Sequence, residues 1–309
     1  MQWSRIKTLF ILCFIILDVY LLFIFLDKQK EADIGILERP DTTIEKQLEA
    51  ENIKVGQLPE EQPDESFLSV QQKKFTADEI RQIENKDDQE LSMMNETFIF
   101  SKFIEPITVP KGAKSEIITE LVNDHVLYPD EYVFWDWNKD FNVILFFQKK
   151  NDRPIYFNQN GMILFFLNDD NEIVSYTQTM LGEEEDRDDK KSIIKPIKAI
   201  ETLYRWSQLN AGEEVTSMKI GYHTIVPLPD GVQVFVPTWK VTVNHERNYF
   251  VNAIEGFIFW GKDEDFLEET MEEYSEKVRS TENQSELRED LLRQLNKKLE
   301  MSNHRGEKE

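Results

Sequence analysis

Seventeen of the eighteen residues from Leu9 to Leu26 are apolar or aromatic, and the exception is Asp18. As a helix this run is about 27 Å long, close to the roughly 30 Å hydrocarbon core of a bilayer. It therefore reads as a transmembrane helix over residues 9–26, preceded by a short cytoplasmic segment, 1–8. The rival reading is a cleaved signal peptide, whose shorter apolar region ends in small residues. Here the run ends in Phe25-Leu26-Asp27-Lys28, without a small-x-small pattern. Cys13 follows Ile11-Leu12, too bulky for a lipoprotein cleavage site. Arg5 and Lys7 before the run favour an inside N-terminus, with the bulk of the chain extracytoplasmic.

Asp18 sits near the middle of the span, where an ionisable group costs a few kcal/mol in lipid. A partner helix that offers a donor reduces that cost. Residues three, four and seven positions away share its face, so the expected partner-binding face comprises Ile11, Phe14, Ile15, Asp18, Leu21, Leu22 and Phe25. No small-x-x-x-small pattern is present, so the contact relies on large side chains.

The net charge of −23 argues against a nucleic-acid partner and against docking on an anionic membrane surface. Cys13 is the only cysteine, which excludes disulfides, thiolate-ligated zinc and cysteine nucleophiles from the rest of the chain. With 40% hydrophobic residues and 12% aromatics, most of the chain has enough apolar material to fold.

Residues 27–65 form an acidic linker punctuated by Pro40, Pro59 and Pro63, with a short helix near Thr42–Glu51 and a short strand near Lys54. A strand follows at Phe67–Val70, and Thr76 with Glu79 has capping-box spacing. Thr97–Val109 reads as a strand interrupted at Pro106. A weak internal repeat then predicts an α+β fold of two similar helix-plus-antiparallel-sheet subdomains, 66–185 and 190–261. Helices are expected from Ser115 and from Ser192, and strands at Asn142–Lys150 and Val232–Val243. Two hairpins follow, Arg153–Leu167 and Arg247–Trp260, with turn glycines Gly161 and Gly256 placed 95 residues apart. Pro229-Asp230-Gly231 reads as a turn, and Pro237 implies a sheet edge or bulge. Residues 262–309 form an acidic helical or disordered tail, with Leu287, Leu291, Leu295 and Leu299 on one face, expected to lie outside the core.

No catalytic constellation emerges. His125, His223, His245 and His304 are scattered, and nucleophile-elbow, Walker and dinucleotide motifs are missing from the sequence. The acidic runs Glu183–Asp189 and Asp169–Glu172 lack the alternating ligands and central glycine of a calcium loop and read as solvated. No metal or cofactor is expected. Val133, Trp135 and Trp137 alternate, so one strand face should carry all three, as a buried sheet face or as a sugar-stacking platform.

The ordered series Met1-Gln2-Trp3-Ser4-Arg5-Ile6-Lys7-Thr8, Glu51-Asn52-Ile53-Lys54-Val55, Phe67-Leu68-Ser69 with Lys74-Phe75-Thr76, Val236-Pro237-Thr238-Trp239 and Tyr249-Phe250-Val251-Asn252-Ala253-Ile254-Glu255-Gly256 resembles the YycI (WalI) family of low-GC Gram-positive bacteria. The resemblance covers about residues 1–260. It implies a non-enzymatic accessory regulator of the essential histidine kinase YycG (WalK), which controls cell-wall metabolism. It implies the kinase and a YycH-like protein as partners, met in part through transmembrane helices. The competing reading from the residues is a wall-tethered binding module, or an enzyme acting on glycan or peptide.

Overall fold

The computed structural model describes residues 7, 10–12, 14, 15, 17–22, 43–60, 65–84, 88–184, 190–227, 232–281 and 285–306. The chain divides into two units, Met1–Asn52 and Ile53–Glu309. In the first, the described residues between Lys7 and Leu22 are helical, and helix α1 spans Ile44–Ala50 with Thr43 as its N-cap.

The second unit is α+β. Its described strands join a 14-stranded mixed sheet whose main path runs β10-β2-β12-β11-β7-β6-β8-β9-β4-β3. In chain order these are β1 (Lys54–Val55), β2 (Leu68–Gln72), β3 (Gln89–Met94), β4 (Phe98–Thr108), β5 (Tyr132–Asn138), β6 (Val143–Lys150) and β7 (Arg153–Tyr156). Then come β8 (Met162–Leu167), β9 (Glu172–Thr179), β10 (Leu181–Glu184), β11 (Glu214–Pro227), β12 (Val232–Val243), β13 (Arg247–Asn252) and β14 (Ile258–Phe259). The helices of this unit are α2 (Ala77–Glu84), α3 (Ser115–Asn123), α4 (Pro196–Arg205), α5 (Asp263–Ser280) and α6 (Glu286–Gly306).

β8 reads Met-Ile-Leu-Phe-Phe-Leu and is buried at all six positions, because both of its faces are covered. One face carries Val143, Leu145, Phe147, Met162, Leu164 and Phe166 and packs on α5 and α6 through Leu267, Met271, Tyr274, Val278, Leu291 and Leu295. The other carries Ile144, Phe146, Ile163 and Phe165 and packs on α3 through Ile118 and Val122. The result is helix, sheet and helices in three layers around the strand with the most apolar sequence.

Several local expectations hold. The capping box forms, with Thr76 N donating to Glu79 Oε2 at 2.6 Å and Glu79 N donating to Thr76 Oγ1 at 3.3 Å. β13 and β14 pair through a turn in which Gly256 has φ +76°. Pro237 lies inside β12, where the strand's partner on one side changes from β2, at Val232–Phe235, to β13, from Thr238 onward. Its carbonyl faces that side and accepts from Ala253 N at 2.8 Å, so its missing N–H faces the gap between partners. The turn expected at Pro229–Gly231 lies outside the described residues.

Other expectations are corrected. The tail supplies helices α5 and α6, Asp263–Ser280 and Glu286–Gly306, which belong to the core. The Leu291 and Leu295 stripe, with Leu267, Met271, Tyr274 and Val278 at helical spacing, is fully buried, while most of the acidic residues that lower the mean hydropathy are exposed. β7 and β8 do not form a hairpin. β7 instead turns back on β6 through Asn151-Asp152, both at positive φ (52° and 58°), and then pairs in parallel with β11. Gly161 does not take the positive φ expected of it. Its constraint is space, since a Cβ there would lie 2.9 Å from Leu181 Cδ1 and 3.0 Å from Gln148 Oε1. The expected helix from Ser192 begins only at Pro196, whose ring favours the first helical position. Ile194 stays extended, donating to Ala253 O at 2.7 Å and accepting from Trp239 Nε1 at 3.0 Å. β4 runs unbroken through Pro106, and the interruption is in its ladder with β9, between Lys102 and Ile107. β2 and β10 come from the first predicted subdomain yet lie with β12 of the second.

Candidate interaction surfaces

The predicted transmembrane face falls partly on described residues. Ile11, Phe14, Ile15, Asp18, Leu21 and Leu22 are helical and exposed, and Phe25 lies outside the described residues. The large apolar side chains described between Phe10 and Leu22 are 48% to 61% exposed. Among the described residues, no helix is long and apolar enough to cross a membrane.

A second surface lies in the folded unit, at the first turn of α5. Strand β5 carries a bulge between Phe134, opposite Phe146, and Asp136, opposite Leu145. The extra residue, Trp135, breaks the alternation that would have put Trp135 and Trp137 on one face. Trp135 therefore packs with the cluster beneath α5, while Phe134 and Trp137 pack on the α3 side. Trp135 meets Phe147, Tyr156, Phe157 and Phe250 with ring centroids 5.2 to 6.1 Å apart. Its Nε1 donates to Asp263 Oδ2 at 2.9 Å, and Lys240 Nζ sits 4.1 Å from its ring centroid. Burial raises the Asp263 carboxyl above its usual range, partly opposed by the Trp135 hydrogen bond. Burial likewise lowers Lys240 to about 8. A cation held over an indole face accounts for a half-buried lysine that has no carboxylate in contact among the described residues.

Beside this cluster opens a cleft of about 370 Å³, walled by Phe157, His223, Phe250, Phe259, Trp260 and Phe266. His223 stacks on Phe259 at 4.0 Å with 6° between the rings. Burial holds the His223 pKa below its ordinary value, against a raising contact from its Nδ1 to Thr224 O at 3.0 Å. Asp265, Glu269 and Lys262 stand at the rim. Trp260 is 64% exposed and Phe257 42%. The cleft escaped the sequence reading because its walls come from β11, β13, β14, α5 and the turn after β7. The only local signal was the density of aromatics in Phe257-Ile258-Phe259-Trp260 and Phe266. Among the described residues, no group of three or more His, Cys, Asp or Glu side chains is placed to hold a metal ion.

The model of the YycI protein family matches residues 32–254. The chain belongs to the YycI family. YycI is a family of regulatory accessory proteins. No curated protein matches the chain. Among solved structures it is similar to an uncharacterized protein from Eubacterium rectale, at 10% identity and TM-score 0.36 over 68% of this chain and 91% of that one. It is also similar to YycH from Bacillus subtilis, at 12% identity and TM-score 0.37 over 64% of this chain and 54% of that one.

Proposed function

We propose that this YycI-family chain is a single-pass membrane protein that biases the YycG/WalK histidine kinase, together with a YycH-like protein. It acts through contacts of its N-terminal helix and its extracytoplasmic domain. The observation that carries the reading is the helix itself. Its described apolar side chains are about half exposed or more, and a fully exposed Leu, Ile or Phe forgoes roughly 1.5–3 kcal/mol of burial in water. Lipid supplies that burial evenly around the helix. Packing and hydrogen bonds then choose the face that meets a partner, and a carboxyl prefers protein to lipid. Asp18 with Ile11, Phe14, Ile15, Leu21, Leu22 and Phe25 is that face. The exposed aromatics at the cleft beside α5 support a second contact outside the membrane. An α+β folded unit outside the membrane, with the chain N-terminus inside, completes the reading.

Single-cysteine crosslinking along residues 9–26 in a Cys13→Ala background, with the kinase co-expressed, tests it. A helical periodicity centred on Asp18 is expected. Asp18→Leu should weaken kinase association by about 3- to 30-fold, the equivalent of an interhelical hydrogen bond of roughly 0.6–2 kcal/mol. A flat profile around the helix, or undiminished association after Asp18→Leu, removes the helix from the interface.

A further inference from the structure

The cleft beside α5 combines two kinds of surface that attract the same chemical group. Phe157, Phe250, Phe259 and Phe266 wall it, and Trp260 stands exposed at its mouth. The faces of such rings are electronegative and favour a cation over a neutral group. Asp265 and Glu269 lie one turn apart on the outer side of α5, both exposed, and among the described residues neither has a hydrogen bond or ion pair. Lys262 answers only one of the two charges. Burial disfavours the charged form of His223, so it does not offset them. The cleft therefore joins aromatic walls to a net negative rim, within a chain that is itself strongly acidic.

Elsewhere the fold fills equivalent arrangements with its own lysines. Lys240 lies 4.1 Å over Trp135 and Lys139 lies over Trp137. The α5 cleft lacks such an internal cation among the described residues. We infer that it receives a basic side chain, an arginine in preference to a lysine, from a partner polypeptide. A planar guanidinium stacks on rings while donating to carboxylates, which an ammonium cannot do as well. A polypeptide rather than a free small cation is favoured by the rim. Trp260 and Phe257 expose apolar area beyond what one cation covers, and exposed aromatics of this kind form the anchors of protein interfaces. This inference rests on the reading of the chain as an interaction protein and assigns the chemistry of its extracytoplasmic contact.

The test uses full-length protein in detergent micelles and the peptide acetyl-Gly-Arg-Gly-amide, observed by NMR, with empty micelles as the blank. The lysine and citrulline peptides and the N-acetylglucosamine trimer are run beside it. Saturable binding of the arginine peptide in the millimolar range is expected, with citrulline weaker by about fivefold or more because it keeps the shape and loses the charge. Glu269→Gln and Trp260→Ala both alter exposed residues. Each should weaken the arginine peptide by about five- to tenfold, and Glu269→Gln should leave citrulline unchanged. Equal binding of arginine and citrulline peptides, or no saturable shift with any peptide, overturns the inference. So does binding of the N-acetylglucosamine trimer alone, lost in Trp260→Ala, which would make the cleft a glycan site. None of these results bears on crosslinking within the membrane, so the two proposals fail separately.

Discussion

Glu79 joins three segments of the folded unit, and its replacement by Gln gives a stability change with a defined pH signature. Its carboxylate accepts from Thr76 N at 2.6 Å, Thr76 Oγ1 at 2.9 Å, Lys73 Nζ at 2.9 Å and the Tyr128 hydroxyl. Burial alone would raise its pKa, but the bonds from Tyr128, Thr76 and Lys73 outweigh it and hold the group at about 2 rather than the usual 4.5. The same contact pushes Tyr128 up to about 12. The folded state thus prefers the charged form, and the contribution is full above pH 4.5 and lost as pH falls toward 2. At about 1.4 kcal/mol per unit the shift sets an upper bound of about 3 kcal/mol, which solvent at this site near the surface screens to roughly 1–2 kcal/mol. Urea unfolding of the full-length protein in detergent, at pH 6 and at pH 2.5, measures it. The natural chain should lose about 1–2 kcal/mol more than Glu79→Gln over that interval, and at pH 6 the variant should be the less stable. Parallel stability–pH curves for the two proteins would refute the assignment of the carboxylate as a charged hub.

Lys298 is buried at 4% exposure and donates to Asn142 O at 3.0 Å and Leu167 O at 2.7 Å, and burial lowers its pKa to about 8. Above that pH the folded amine is neutral while the unfolded chain keeps its proton to about pH 10, so stability should rise between pH 8 and 10. Lys298→Met should flatten that rise in urea unfolding. Truncation after Trp260 removes the cover of one sheet face, and size-exclusion chromatography should find the product aggregated. Gly161→Ala drives a methyl against Leu181 and Gln148 and should cost about 1–3 kcal/mol in the same unfolding assay.

Local patterning carried much of the fold. The capping box, the uninterrupted apolar run of β8, the ends of β12 and the Gly256 turn each depend on neighbours within a few residues, so the chain announces them. What it did not announce are the choices made between distant segments. Nothing near Arg153 says that β7 will leave β8 and pair with β11, because the determinant is the Asn151-Asp152 turn together with a partner some 65 residues on. The bulge at Trp135 is silent for the same reason, being a mismatch in count between β5 and β6. The tail was hidden by averaging: its outward residues are acidic enough to mask a continuous buried stripe. The candidate cleft gathers side chains from four elements and the turn after β7, and only its aromatic density was visible beforehand.

The position of the C-terminal helices also sets an order in time. Strands β3 to β9 are complete once residue 179 has been made, yet the face they share with α6 is closed only by Leu291 and Leu295. The bonds that seat α6 reach back just as far, from Asp290 to Lys102 and from Gln294 to Ser175. During synthesis, an apolar surface built early must wait for the last helix to emerge. With elongation at about 5–20 residues per second, more than a hundred residues of delay leaves it open for several seconds to tens of seconds. A chain arranged this way has a built-in need for a temporary cover while it is being made, supplied by a chaperone or by an early neighbour.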